Sequence, residues 1–357
     1  MQNKENFQQS TDFMQGSDLG DSSLHSESAG KNIFHKPNDL KWTASMIGIA
    51  LLCYMAISNI FVSILQFSLQ IFVSIWASSS PVMVNKVVAF FSSQSGVWTQ
   101  QLIIGAVTGG LTIFLLAKLL GMRVKGFFQR PHNGVLYTMQ GCCWFTSCNF
   151  VFSVITSFIL AFITMFVGHQ PYSPSFEVSA SQPFAVLMYF LYVIIVGPII
   201  EELIFRGFIL RSLQRFGNIF AILISSVLFG LWHGNLQQAI PIMFSGFVLG
   251  YIAIRSNSVI PGIITHAFNN LLIFFVDIAG QAYPVSTINL VYYGIMAVLL
   301  LLSCFFIYFY KDNLKIYDFN QSNLNIKGRI SGFLFSPGML IFLIVIALQL
   351  LMTIFIL

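Results

Sequence analysis

The sequence predicts an all-α, polytopic transmembrane helical bundle, and composition is the first reason. Of its 357 residues, 56% are hydrophobic and only 8% are charged, whereas soluble domains carry about 25% charged residues. From Trp42 onward the chain is a series of apolar runs of roughly 17 to 25 residues, the length a helix needs to cross the hydrocarbon core of a bilayer. The chain is therefore expected to be a multi-pass protein of the cell membrane, with the lipid bilayer as one partner.

We predict about nine transmembrane spans from the lengths of these runs. They cover approximately residues 43–65 with an extension to 76, 99–121, 142–167, 184–203, 218–234, 236–254, 258–278, 287–310 and 337–357. Residues 1–41 are polar and lack hydrophobic periodicity, which predicts a disordered tail. Residues 42–183 are expected to form scaffold helices, 184–278 a core that contains the polar intramembrane residues, and 279–357 further helices.

The basic residues predict the orientation of the chain in the membrane. The net charge is +5, and the connections at 121–134 and 311–330 hold seven lysine and arginine residues, whereas 78–98, 168–183 and 279–286 contain only Lys86. Because basic connections stay in the cytoplasm, the N-terminus is predicted to be cytoplasmic. The basic residues serve this orientation, and no nucleic-acid-binding signature accompanies them.

A Glu-Glu pair followed by an arginine interrupts one apolar run, at Glu201, Glu202 and Arg206. Charged side chains in hydrocarbon cost about 2.5 to 3.5 kcal/mol each on insertion scales, so such a cluster indicates a functional site. Glu202 and Arg206 are four residues apart and share a helix face, which predicts an ion pair. Glu201 points about 100° away. It lacks that partner and is the carboxylate that we expect to accept a proton.

Two further motifs follow in the chain. Phe229 precedes His233 by four residues, and His266 precedes Asn270 by four residues on a helix opened by Pro261. If the chain turns at 216–218, Glu201 and His233 lie at equal distances from the turn, and an antiparallel hairpin brings them level. Asn269 points elsewhere and is expected to make hydrogen bonds between helices.

These residue types suffice for hydrolysis of an amide bond without a nucleophilic serine or cysteine. Glu201 would remove a proton from water and His233 would help to position that water. His266 and Asn270 could stabilise the oxyanion of the tetrahedral intermediate. The predicted catalytic set is therefore Glu201, His233, His266 and Asn270, with Glu202 and Arg206 as supporting residues.

The three motifs resemble those of the CAAX protease and bacteriocin-processing family of intramembrane endopeptidases, also called the CPBP or Abi family. Glu201–Arg206 fits its EExxxR pattern, Phe229–His233 its FxxxH pattern and His266–Asn270 its HxxxN pattern. The resemblance covers residues 184–278 and implies a CAAX-protease-like catalytic core. It also implies Glu201 as the base, His233 as its partner, and His266 and Asn270 as the oxyanion site. The implied substrate is a peptide or a membrane protein, and the implied roles include peptide processing and bacteriocin immunity.

No cofactor is predicted, and zinc is the alternative that the residues leave open. A carboxylate and two histidines could hold zinc, but the chain has no His-Glu-x-x-His motif and asparagine is a poor zinc ligand. The five cysteines show no zinc-ligand spacing. These observations favour a metal-independent mechanism.

Two other functions compete with peptide hydrolysis. In the first, the polar cluster only ties helices together in a non-catalytic membrane scaffold or regulator. In the second, intramembrane glutamate and histidine form the proton relay of a proton-coupled transporter. The sequence lacks a second polar block related by internal symmetry, which counts against a transporter.

Overall fold

The computed structural model describes residues 39–172, 178–311, 314–318 and 324–355. Over these residues the chain forms eleven helices, which confirms the predicted all-α class for the described part. The helices are α1 (Leu40–Trp76), α2 (Pro81–Ser92), α3 (Gln94–Leu120), α4 (Gly134–Val167), α5 (Pro183–Phe216), α6 (Asn218–Trp232), α7 (Leu236–Ser256), α8 (Ile260–Ala279), α9 (Val285–Tyr310), α10 (Ile326–Leu334) and α11 (Pro337–Phe355).

Eight of the described helices are long and apolar enough to cross a membrane, namely α1, α3, α4, α5, α7, α8, α9 and α11. The predicted polytopic bundle is therefore confirmed. The predicted span at 218–234 is too long, because α6 has only 15 residues. At 1.5 Å per residue such a helix is about 22 Å long, which is shorter than the roughly 30 Å of the hydrocarbon core.

Helix α1 begins at Leu40, slightly before the predicted start of the membrane region. Asp39 caps it, since its Oδ1 accepts hydrogen bonds from Lys41 N at 2.8 Å and Trp42 N at 3.4 Å. Such a cap satisfies N–H groups that have no partner within the helix. Residues 1–38 of the predicted disordered tail lie outside the described residues.

Small residues allow the helices around the polar cluster to approach closely. Helix α7 packs against α4 and α6, and α8 also packs against α4, while α1 packs against α3 and α11. A Cβ atom on Gly230 of α6 would overlap the carbonyl oxygen of Ala239 on α7. No larger residue fits there, so this contact depends on glycine, as in many membrane helix pairs.

The turn between α5 and α6 lies where the sequence predicts it. Helix α5 ends at Phe216 and α6 begins at Asn218, and Gly217 between them has φ 119° and ψ 134°. Essentially only glycine adopts this backbone region. Asp318 Oδ1 accepts a hydrogen bond from Ile219 N at 3.0 Å and so satisfies one free donor at the start of α6.

Helix α5 is continuous but irregular. It contains two π-helical segments, Leu191–Val196 and Leu203–Ile209, which flank a short α-helical segment, Gly197–Glu202. π-helical turns are rare and occur frequently at functional sites. The two glutamates therefore lie at the end of a six-residue α-helical segment between two wider turns.

All described residues belong to one compact unit. The predicted division into scaffold helices (42–183), catalytic core (184–278) and C-terminal helices (279–357) is a division by role, and it stays a prediction.

Candidate active site

Glu202 and Arg206 form a fully buried ion pair. Arg206 Nη1 donates to Glu202 Oε1 at 2.9 Å, and both side chains are 0% exposed. Arg206 Nη2 also donates to the carbonyl oxygen of Gly246 on α7 at 3.2 Å, and its guanidinium lies 4.1 Å from the centroid of the Phe229 ring. A charge this deep requires such partners. The contact is the one that their four-residue spacing predicts.

The second oxygen of Glu202 faces a glycine. Glu202 Oε2 is buried and has no hydrogen-bond partner among the described residues. A Cβ atom on Gly262 of α8 would lie 2.9 Å from this oxygen. The absence of a side chain at 262 therefore leaves the space that the carboxylate occupies.

Glu201 lies in a different environment from Glu202. Its side chain is 24% exposed, and Oε2 lies 3.8 Å from His266 Nε2. No described residue makes a hydrogen bond to its carboxylate within normal limits. The two adjacent glutamates thus have different surroundings. The carboxylate of Glu202 is enclosed and paired with Arg206, as the sequence predicts, whereas the carboxylate of Glu201 is partly exposed.

His266 lies between the two carboxylates. Its Nδ1 is 3.4 Å from Glu202 Oε1, and its Nε2 faces Glu201. The imidazole ring packs between two phenyl rings, with centroid distances of 5.8 Å to Phe145 of α4 and 5.7 Å to Phe229 of α6. Both ring nitrogens therefore face carboxylates, while apolar rings fix the plane of the imidazole.

His233 follows the last residue of α6 and is oriented by the backbone. Its Nδ1 lies 2.9 Å from the carbonyl oxygen of Phe229. A carbonyl can only accept, so Nδ1 carries a hydrogen, and in the neutral imidazole Nε2 then keeps a lone pair. Asn235 Nδ2 donates to the carbonyl oxygen of His233 at 2.9 Å and so stabilises the turn that follows.

Phe229 connects both histidines to the buried ion pair. Its ring lies 5.3 Å from the ring of His233 and 5.7 Å from that of His266, and it carries the guanidinium of Arg206 on its face. The phenylalanine and the histidine of the FxxxH motif thus contact each other, and both belong to the same cluster as Glu202.

Asn270 is fixed by a hydrogen bond to helix α5. Its Nδ2 donates to the carbonyl oxygen of Val193 at 2.8 Å, and Asn269 Nδ2 donates to Asn270 Oδ1 at 3.4 Å. A carboxamide has two N–H groups. One N–H of Asn270 is used in this bond, and the other is the donor that remains for a ligand.

Three contributors to the cluster are not among the residues predicted from the sequence. Phe145 lies on a helix that the sequence assigns to the scaffold, and nothing in its surroundings singles it out. Gly262 precedes His266 by one turn, and its packing against Glu202 requires knowledge of the helix pairing. The carbonyl oxygen of Val193 is an acceptor only because α5 is π-helical there. Pro198 is a partial signal, since a proline within a helix leaves a carbonyl without its donor, but regular α-helical geometry would place that carbonyl four residues before the proline and not at Val193.

The cluster offers few ligands for a metal ion. Within the described ranges, no group of three or more His, Cys, Asp or Glu side chains is arranged to hold one. Glu201 and His266 provide two potential ligands 3.8 Å apart, whereas catalytic zinc sites use three protein ligands.

The helices and the cluster together define a class: a multi-pass helical membrane protein with a glutamate, histidine and asparagine site built on α5, α6 and α8. Comparison with known proteins shows which family part of the chain resembles. Residues 183–272 match the profile described as "Type II CAAX prenyl endopeptidase Rce1-like". This range contains all six predicted site residues, and the resemblance to the CAAX protease family is thereby confirmed.

A curated relative is described as a membrane peptidase. The chain is 35% identical over 85 residues to the "Putative membrane peptidase YdiL" of Bacillus subtilis (strain 168). The matched region is 24% of this chain and 35% of the relative, so the chain matches about a third of the relative's length. No solved structure matches significantly.

Proposed function

We propose that this protein is an intramembrane endopeptidase in which Glu201 activates water for hydrolysis of a peptide bond. The observation that carries the proposal is the contrast between the two adjacent glutamates. Glu202 is enclosed and paired with Arg206. Glu201 is 24% exposed and lies beside His266. An accessible carboxylate in an otherwise enclosed polar cluster is suited to general-base catalysis. The family match over residues 183–272 supports the same reaction class.

The proposed reaction starts with proton transfer from water to the carboxylate of Glu201. The water oxygen forms a bond to the carbonyl carbon of the substrate, and the carbonyl oxygen becomes an oxyanion. The carbon–nitrogen bond then breaks, and the proton held by Glu201 passes to the leaving amine. These steps yield a new carboxylate and a new amine, and they consume one water molecule.

The other side chains have separate roles in this proposal. His233 Nε2 accepts a hydrogen bond from the attacking water, since its Nδ1 is already bound to the carbonyl of Phe229. The free N–H of Asn270 and the Nε2–H of His266, which is on the side of Glu201, donate to the oxyanion. Glu202 and Arg206 form an ion pair without net charge, which holds the buried side of the cluster in a fixed geometry.

We propose a peptide or a membrane-associated protein as substrate. The matching family is described as one of prenyl endopeptidases, so a lipid-modified peptide is one form of this substrate. Processing of a secreted peptide and immunity against a bacteriocin are further roles compatible with the same chemistry. The N-terminus is proposed to be cytoplasmic, from the distribution of basic residues.

The proposal is tested by the peptides that membranes release. Membranes carrying the wild-type protein or Glu201→Ala at equal expression are incubated and the released peptides are sequenced by mass spectrometry. We expect new peptide termini only with the wild type. The same set of termini from both membranes would contradict the proposal.

A non-catalytic scaffold or regulator is the second candidate, and two contacts favour it. Arg206 binds the backbone of α7 and Asn270 binds the backbone of α5, so part of the cluster holds helices together. In that case a cellular phenotype should survive both Glu201→Gln and His266→Ala, provided that the variants fold, and no new peptide terminus should appear.

A further inference from the structure

The backbone of α5 leaves one carbonyl oxygen without its usual donor. At the end of the π-helical segment Leu191–Val196, the N–H of Gly197 bonds to the carbonyl of Tyr192, five residues earlier. The next bond in this series would run from the nitrogen of residue 198 to the carbonyl of Val193. Residue 198 is proline, which has no N–H. The Val193 carbonyl is therefore available to a donor from another helix.

Asn270 supplies that donor. Its Nδ2 lies 2.8 Å from Val193 O, and this bond joins α8 to α5. Asn269 Nδ2 approaches the oxygen of the same carboxamide at 3.4 Å. A carboxamide is planar, so fixing one N–H and the oxygen also fixes the direction of the remaining N–H.

We propose that Pro198 is a positioning residue for Asn270. Because Pro198 has no backbone N–H, the Val193 carbonyl stays available to accept a hydrogen bond from the Asn270 carboxamide. This bond orients the free N–H of Asn270 toward the substrate oxyanion. This inference rests on the proposed function, in which Asn270 is an oxyanion donor. Any other residue at 198 would bring an N–H that competes for the same carbonyl.

The test is a double-mutant cycle between Pro198→Ala and Asn270→Ala, with kcat and KM measured on a peptide identified by the release experiment. We expect Pro198→Ala to lower kcat about tenfold, which is less than the roughly 10²- to 10³-fold loss caused by removing an oxyanion donor outright, with little change in KM. The double variant should be no slower than Asn270→Ala alone, because both changes remove the same interaction. Wild-type kcat in Pro198→Ala, or effects that multiply in the double variant, would overturn the proposal.

Pro183 provides a matched control on the same helix. It occupies the first turn of α5, where a backbone N–H has no acceptor within the helix. Pro183→Ala should therefore leave kcat unchanged. Glu201→Ala, run in parallel, separates the two proposals. If Glu201→Ala is active, the proposed function is contradicted. If Glu201→Ala is inactive and the effects of Pro198→Ala and Asn270→Ala on kcat multiply in the double variant, only the role of Pro198 is contradicted.

A second readout does not depend on activity. The effect of Asn270→Ala on thermal unfolding in detergent is measured in the wild-type background and in the Pro198→Ala background. We expect Asn270→Ala to lower the unfolding temperature of the wild type. The decrease should be smaller in the Pro198→Ala background, where the substituted residue supplies its own N–H to Val193. Equal decreases in both backgrounds would overturn the inference. If both Pro198→Ala and Pro198→Ser fail to fold, the proline is required for the helix itself and the proposal is also overturned.

Discussion

His266 Nε2 lies 3.8 Å from Glu201 Oε2, on the opposite side of the imidazole from Glu202. The imidazole of His266 thus lies between the accessible carboxylate of Glu201 and the enclosed carboxylate of Glu202. Because Arg206 already neutralises Glu202, the properties of the two glutamates can be tested separately by substitution.

Glu201→Gln should abolish peptide release while the fold stays intact. Loss of a general base lowers rates by about 10²- to 10⁴-fold, and glutamine keeps the size of the side chain. The unfolding temperature should not change, since no described residue makes a normal hydrogen bond to the Glu201 carboxylate. Asp277→Asn is the control, because Asp277 lies on α8 beside Tyr189 and has no proposed role in the reaction. Activity in Glu201→Gln close to that of the wild type would exclude Glu201 as the base.

Arg206→Met should reduce stability strongly. Removing one partner of a buried ion pair leaves an uncompensated charge and costs about 3–5 kcal/mol. Thermal unfolding in detergent and the yield of folded protein measure this loss. The double variant Glu202→Gln, Arg206→Met should be more stable than Arg206→Met alone, because no unpaired charge remains. Arg123→Met, at an exposed position, should behave like the wild type, and an equal loss in both arginine variants would argue against the buried pair.

Gly262→Ala should disturb the site through Glu202. The added Cβ would lie 2.9 Å from Glu202 Oε2, so the carboxylate or α8 must move, and overpacking of this kind costs about 1–3 kcal/mol. Peptide release and the unfolding temperature should both fall. At Gly294 nothing lies within 4 Å of an added Cβ, so Gly294→Ala should be neutral or slightly stabilising, as alanine is in helices. If Gly262→Ala changed neither peptide release nor the unfolding temperature, the Glu202 carboxylate would not be packed against α8.

Chelators should not reduce peptide release. The proposed mechanism uses Glu201 as the base and assigns no step to a metal, and the carboxamide of Asn270 is a poor zinc ligand. Release is measured after incubation with EDTA or 1,10-phenanthroline, with a zinc peptidase treated in parallel to verify chelation. Loss of release that added zinc restores would establish a metal-dependent reaction instead.

Local spacing predicts the helical class and the pairing within the motifs. The ion pair between Glu202 and Arg206 follows from a four-residue separation, and the turn at Gly217 follows from a glycine between two apolar runs. These features depend on residues close together in the sequence, where helix geometry determines what can touch.

The features that local spacing misses depend on distant residues or on departures from regular geometry. Prediction from a 3.6-residue period assumes an α-helix, so it cannot reveal the π-helical segments of α5. The bond from Asn270 to Val193 joins residues 77 positions apart, and Phe145 reaches His266 from a helix assigned to the scaffold. The predicted span at α6 is too long because the apolar run continues past the helix end at Trp232.

The two π-helical segments of α5 make the number of residues in this helix as important as their identity. Each π turn holds about one residue more than an α turn, so deleting a residue within Leu191–Val196 could convert that segment to regular α-helix. Such a conversion would keep the two parts of α5 in phase, because an α turn completes the same rotation with one residue fewer. A single-residue deletion in the regular α-helical segment Gly197–Glu202 would instead rotate the part of α5 before it by about 100° relative to the part after it. The position of a deletion within α5 therefore decides whether Val193 still faces α8.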